Sequence, residues 1–492
     1  RVAHENVLRA LGLRLADHCW TWQAVRVCAE PLRVDRDRAR LRLSLARMPL
    51  TLLEPYLPAG FGLPGQVTGT AAVDWQRDAG PSARLTLVSA AGRIEVPQTG
   101  SDGPLSLDYD RIVVDADLRP DRADLRLGLA SPAIGTGGVV VRTDPSDAAR
   151  PLDGIVWLDG VSLAPLAGAL PQLRRVRGLL QARGELHGTL AAPVFRGSLR
   201  LADGELLPSA LATPLEAINL IARIDGQRAT LEGGFQAGEG KARVDGQLDW
   251  QQAALQGRID LTGEALAIDV GTLAELSVTP DVRLAITPQR LRLSGEVRVP
   301  AGRLQPNQRA PGAVRVSPDT VLVNAAGEPL VRAGDEAVGR TLESDLRLVL
   351  GDAVTFSAQG ATGRLGGELR LRQIGAGGTE AEGVLNLLDA SYEAYGQSLV
   401  IRRGRLIFAG PMTRPRLDIE AVRESADILA GLRVTGPADD PQVRLFSRPP
   451  MAQASILSYL VTGRPPGQGT PSEEALLSRA ALSLGVFGGG RL

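Results

Sequence analysis

From residue 41 to beyond residue 340 the chain keeps returning to one pattern: an apolar side chain at every second position, with Arg, Asp, Ser or Gly between. A period of two is that of a strand with one buried and one wet face, and no helix gathers such residues onto one stripe. The runs are Leu41, Leu43 and Leu45; Ala123, Leu125, Leu127 and Leu129; Val282, Leu284 and Ile286; Leu291 and Leu293 with Val297 and Val299; and Leu346, Leu348 and Leu350. Turn signals stand between such runs: Arg119-Pro120-Asp121, Asp203-Gly204, Asp225-Gly226 and Gly233-Gly234. They are spaced about a strand length apart, which reads as an antiparallel β-meander repeated many times, of roughly 35 to 40 strands.

A weak internal repeat supports this reading. Gly, four residues, Pro, one residue and an apolar residue recur at Gly188 to Phe195, Gly410 to Leu417 and Gly436 to Val443. Gly permits the turn and Pro opens a strand where no ladder donor is needed. A sheet with one apolar face must bury it against another sheet, against itself by curling, or against a ligand. Aromatic residues are only 3% of the chain, so a sandwich core anchored by large rings is the least suitable of the three. The expected fold is therefore all-β, an elongated, curled antiparallel β-sheet groove with a few short helices near the C-terminus. One helix is expected over Met451 to Gly463, with Ile456, Leu457, Leu460 and Val461 on one stripe. A second opens with the capping box Thr470-Pro471-Ser472-Glu473, carries Leu476, Leu477, Ala480, Ala481 and Leu484 on one face, and is stopped by Gly488 to Gly490.

Charge and motif content exclude several function classes. The 55 basic and 55 acidic residues are interspersed with no basic run to track a phosphate backbone, so no nucleic acid is expected as a partner. His4, His18 and His187 have no second ligand at metal spacing, and no metal or other cofactor is expected. There is no G-x-S-x-G elbow; Gly240-Lys241 is followed by Ala242 rather than Ser or Thr; and the glycines from Gly375 to Gly378 follow a strand but open no helix. The chain reads as no enzyme. Cys19 and Cys28, with eight residues between them in two short strands and a turn, either form a disulfide in an oxidising compartment or stay two buried thiols. No window reaches eighteen apolar residues, and the chain begins at Arg1 without a signal-type segment, so it reads as soluble or as cut from something longer.

The C-terminal third is more specific. From Gly383 to Gly463 the order is a Tyr-x-x-Tyr-Gly turn (Tyr392, Tyr395, Gly396), a G-x-[LI]-x-F-x-G strand (Gly404, Phe408, Gly410), Pro415 with Leu417, Gly436, Pro441, Ser447-x-Pro449, and Ile456-Leu457-Ser458-Tyr459-Leu460 before Gly463. This series resembles the C-terminal region of the TamB family. Upstream, Ser294 to Leu304 and Ala46 to Ala71 resemble further blocks of that family, and Cys19 and Cys28 match a cysteine pair often found before them. The strong match covers about a fifth of the chain and divides it into a repetitive β-groove region, 1–382, and a TamB-type C-terminal region, 383–492, continuous with it.

The resemblance implies an AsmA-like periplasmic protein, anchored in the inner membrane and working with the outer-membrane barrel TamA. Two roles belong to the family: assembly and secretion of outer-membrane proteins and autotransporters, and phospholipid movement between the membranes. The family's N-terminal anchor and its final strand-rich segment, thought to meet TamA, have no counterpart in this sequence. The lipid-groove candidates are the inward-facing aliphatics of the alternating runs, taken as a surface: Leu125, Leu127, Leu129, Val282, Leu284, Ile286, Leu291, Leu293, Val297, Val299, Leu346, Leu348 and Leu350. The rival readings are a periplasmic chaperone groove that shelters unfolded strands by edge pairing and a structural β-solenoid, such as an autotransporter passenger.

Overall fold

The computed structural model describes residues 13–35, 37–52, 61–97, 104–132, 134–164, 172–251, 254–305, 341–358, 360–375, 378–394, 397–425 and 427–466. Within them the alternating runs are strands, joined mostly to their sequence neighbours in antiparallel ladders. All three Gly-x4-Pro repeats are hairpin turns. They join Leu173–Thr189 to Ala192–Pro208, Gln397–Pro411 to Arg416–Ser425, and Ile428–Pro437 to Gln442–Arg448. Pro193 opens its strand before the next ladder begins at Arg196, where a missing N–H costs nothing.

The described residues hold 29 strands, and several run to 15, 17 or 18 residues. Two of the sequence's turn signals explain these long strands. Asp203-Gly204 and Gly233-Gly234 do not end strands; they lie inside Ala192–Pro208 and Arg228–Ala237. Asp203 has φ 48° and the register shifts there between Leu201 and Gly204, so this Asp-Gly pair makes a β-bulge in place of a turn. An Asp-Gly or Gly-Gly pair supplies a left-handed residue to a turn or to a bulge equally well, so sequence chemistry alone does not separate them. Register shifts recur between Leu45 and Met48 (with Arg47 at φ 55°), Arg177 and Leu179, Val299 and Ala301, Leu350 and Thr355, and Ile401 and Arg403. Each bends its strand, and repetition of the bend from strand to strand curls the sheet.

Two compact units result, one of Arg1–Ser209, Pro214–Phe235 and Asp245–Ala253, the other of Ala210–Thr213, Gln236–Val244 and Ala254–Leu492. In the first, a small core of Leu50, Val67 and Tyr109 ties the hairpin Gly92–Val96/Leu105–Tyr109 to the sheet. The Tyr109 hydroxyl is 2.8 Å from Ser89 Oγ, and its ring lies over Gly65 and Gly92, where a Cβ would stand 2.5 and 2.3 Å from the phenol oxygen. Cys19 and Cys28 face each other across the hairpin His18–Trp22/Val25–Ala29 and are joined in a disulfide.

The second unit departs from a pure meander. Arg290–Leu304 and Thr341–Ala358 pair in parallel, from Arg290 opposite Thr341 to Leu304 opposite Phe356. Beyond the bulges its strands continue far enough for residues on both sides of the bend, Leu369 and Leu385 on one, Val354 and Phe356 on the other, to join one buried cluster. The helix Gln453–Thr462 completes it with Ile456 and Leu460. Its C-terminus is closed by Gly463 in the left-handed conformation, φ 75°, and by Arg423, which donates to the carbonyls of Leu460 (3.3 Å) and Tyr459. The second expected helix lies outside the described residues.

Candidate functional site

Residues opposed in a ladder project to the same side of a sheet, so the registers give the composition of each face. In the first unit one row runs Leu45, Gly69, Leu87, Val114, Leu127, Val139 and Val156 across seven strands. The adjacent row holds Leu43, Ala71, Leu85, Ala116, Leu125 and Val141. No charged side chain interrupts either. In the second unit the row Val299, Leu350, Gly367, Leu385, Leu406 and Leu417 is equally apolar.

The opposite faces are lattices of ion pairs. Asp124 accepts from Arg122 (2.5 Å) and from Arg142 (2.9 Å), and these guanidiniums, Arg122 first, hold its carboxyl down at about 2. Arg119 and Arg84 lower Asp117, Arg175 with Arg177 lowers Glu205, and Arg370 at 2.7 Å lowers Asp345. Arg347 bridges Glu296 and Glu368, while Arg405 meets Asp418 and Arg433 meets Glu420. The clefts on this side, such as that lined by Ser294, Asp345, Arg347, Glu368 and Arg370, consist of charges already paired with one another. Among the described residues no group of three or more His, Cys, Asp or Glu stands ready to hold a metal. His187, in the first unit, is half-buried and lies 3.1 Å from Glu185.

The groove candidates fall on the apolar faces. Leu284 opposes Leu293, Ile286 opposes Leu291, and Val282 opposes Gly295, which opposes Leu346; Val297 opposes Leu348 and Val299 opposes Leu350. These ten therefore share one face of the second unit. Leu125, Leu127 and Leu129 lie on the corresponding face of the first. Their burial differs: Val299 is 3% and Ile286 8% exposed, whereas Leu125 is 42% and Leu127 40% exposed. Alternation alone left out the residues that bury deepest, among them Val354, Leu369 and Ala381. The Ala361–Ile374 and Glu380–Ala394 runs carried the same signal, diluted by Gly366-Gly367 and by Gly383.

The residues of the C-terminal series have structural positions. A Cβ at Gly404 would stand 2.5 Å from Leu387 Cβ. Phe408 is buried in the second core and Tyr392 packs against it. Gly410 and Gly436 precede hairpin turns at φ 147° and 101°, Pro415 and Pro441 close those turns, and Gly463 caps the helix. Tyr395 and Gly396 lie outside the described residues. Among the described residues, no helix is long and apolar enough to cross a membrane.

Comparison with known proteins agrees with this architecture. Residues 229–492 match the model of the TamB C-terminal domain, and residues 10–201 match that of the TamB N-terminal domain. The translocation and assembly module subunit TamB of Haemophilus influenzae is 26% identical over 507 residues, an alignment covering 100% of this chain and 38% of that protein. The chain thus spans well under half the length of the curated relative it matches. With more than half of its residues matched by the C-terminal domain model alone, and its ordered motif series set in an all-β groove, the chain belongs to the TamB family.

Proposed function

We propose that the apolar face carries phospholipid acyl chains, and that this chain is the groove segment of a periplasmic protein that moves lipid between inner and outer membranes. The observation that carries the reading is the exposure of Leu125 and Leu127 in the middle of an uninterrupted aliphatic face. A sixteen-carbon chain exposed to water is disfavoured by roughly 12 kcal/mol, at about 0.8 kcal/mol per methylene, and a continuous trough removes that barrier. No residue has to recognise a headgroup, and no catalytic group is required. In the same reading the full-length protein is anchored in the inner membrane and acts with a TamA-like outer-membrane barrel in the assembly and secretion of outer-membrane proteins. The name of the Haemophilus relative, a translocation and assembly module subunit, supports that second role.

One observation favours the chaperone reading as an alternative. Among the described residues, Gln442–Arg448 pairs only with Ile428–Pro437, which leaves a strand edge for an incoming strand to join. Transfer of labelled phospholipid between vesicles separates the two. The conduit predicts that Leu127→Arg, in the exposed middle of the aliphatic face, abolishes transfer while far-UV dichroism stays β-rich. Transfer that survives the substitution rules out the lipid groove and leaves the strand edge as the working surface.

A further inference from the structure

Two of the chain's five tryptophans, Trp20 and Trp22, are 56% and 60% exposed. They alternate with Cys19 and Thr21 along the strand His18–Trp22, so both indoles lie on one face, with the His18 ring 4.8 Å from that of Trp20. The other face carries the Cys19–Cys28 disulfide, which ties this outer strand to Val25–Ala29, itself paired onward with Arg38–Pro49. Between Asp17 and Glu30 there is no carboxylate, and the one arginine, Arg26, belongs to the disulfide face, while His18 lies with the indoles. The Trp face also leads directly onto the aliphatic face: Trp20 opposes Val27 and Val27 opposes Leu45, the first member of the row described above.

We propose that this hairpin docks the protein onto a lipid bilayer at its headgroup boundary, and that the aliphatic face begins there. The inference deepens the lipid-groove reading and rests on it. An indole pairs a large apolar ring with one N–H donor, which suits the boundary between acyl chains and headgroups. The face offers a protein partner no Asp, Glu, Lys or Arg to pair with. The outer edge of His18–Trp22 has no strand partner among the described residues, and its backbone groups stay hydrated at headgroup depth. Of the surfaces an indole pair can meet, a bilayer is the one that supplies the acyl chains the adjoining row would accept.

The test is flotation of the whole chain with phosphatidylcholine vesicles whose acyl chains are brominated, read by co-flotation and by quenching of indole emission. The wild-type chain is expected to float and to be quenched, at high as well as low salt. Trp20→Ala with Trp22→Ala should lower vesicle partitioning at least about tenfold, a loss of about 1.4 kcal/mol. The double tyrosine variant, Trp20→Tyr with Trp22→Tyr, should keep most of it. Absence of free thiols in each variant shows that the hairpin is still formed. Failure of the wild type to float, flotation of the alanine variant equal to wild type, or flotation without quenching would each overturn the proposal. Phospholipid retained through purification reports on the groove separately: it should persist in the alanine variant, and a wild type that floats but retains none keeps the docking site while refuting the groove.

Discussion

The two units solve the same problem of burial differently. Both present an aliphatic face with period two and a charged face of cross-strand ion pairs. In the second unit the chain covers its own face: strands bend back past their bulges, the helix Gln453–Thr462 packs on, and Leu369 and Ala381 fall to 2% exposure. In the first unit the protein-only core is small, and Leu118, Leu125 and Leu127 stay 45%, 42% and 40% exposed. An identical sequence pattern therefore yields a finished core in one place and an open apolar surface in the other. What differs, among the described residues, is the supply of covering groups: Phe356, Phe408 and a helix in the second unit, against one short hairpin carrying Ile94 and Tyr109 in the first. The first unit is the one that gains from a ligand.

Substitutions can break or sharpen that contrast. Phe408→Ala should destabilise the second unit by about 3–5 kcal/mol, whereas Leu127→Ala in the first should cost less than about 1 kcal/mol, because half-exposed side chains leave no cavity. Urea unfolding followed by hydrogen exchange of each unit reads the difference, and equal losses would remove it. Reduction of Cys19–Cys28 should loosen only the first unit, by about 2–3 kcal/mol for a loop this short. Thiol titration of the denatured, unreduced chain should find no free thiol. Tyr109→Phe should cost about 1 kcal/mol, since Ser89 keeps its bond to the Gln66 carbonyl at 3.0 Å when the phenol is lost.

The smallest effect concerns the charged face, which the two units share. Asp124→Asn should cost under about 1 kcal/mol at neutral pH, as expected for ion pairs open to solvent. Folding lowers this carboxyl to about 2, so its contribution is present above the ordinary carboxylate pKa and fades as pH falls toward 2. Wild type and variant should thus differ in denaturation midpoint at pH 7 and converge near pH 2. A gap that widens in acid would contradict the assignment.

Strand content and the apolar faces were legible in the sequence because period two is a local signal that any half-buried strand must carry. The bends were not. Asp203-Gly204 in a bulge and Asp225-Gly226 in a turn are chemically the same pair, and only the partner strands decide between the two. Nor was the parallel ladder of Arg290–Leu304 with Thr341–Ala358 visible, since pairing direction is set by the path between strands and leaves no mark on alternation. The candidate residues were found as members of a face, but not their exposure. Leu127 and Leu348 sit in similar runs, and it is the helix and the bent strands, distant in sequence, that cover one unit and not the other.

The central claim is that the exposed aliphatic face of the first unit is a surface for acyl chains. Native mass spectrometry of the purified chain, beside a Leu125→Arg/Leu127→Arg variant, tests it most directly. The account predicts phospholipid adducts on the wild-type chain and their loss from the variant, with β-rich dichroism in both. A wild-type chain free of lipid, or a variant that keeps its adducts with two guanidiniums in the middle of the face, would contradict it.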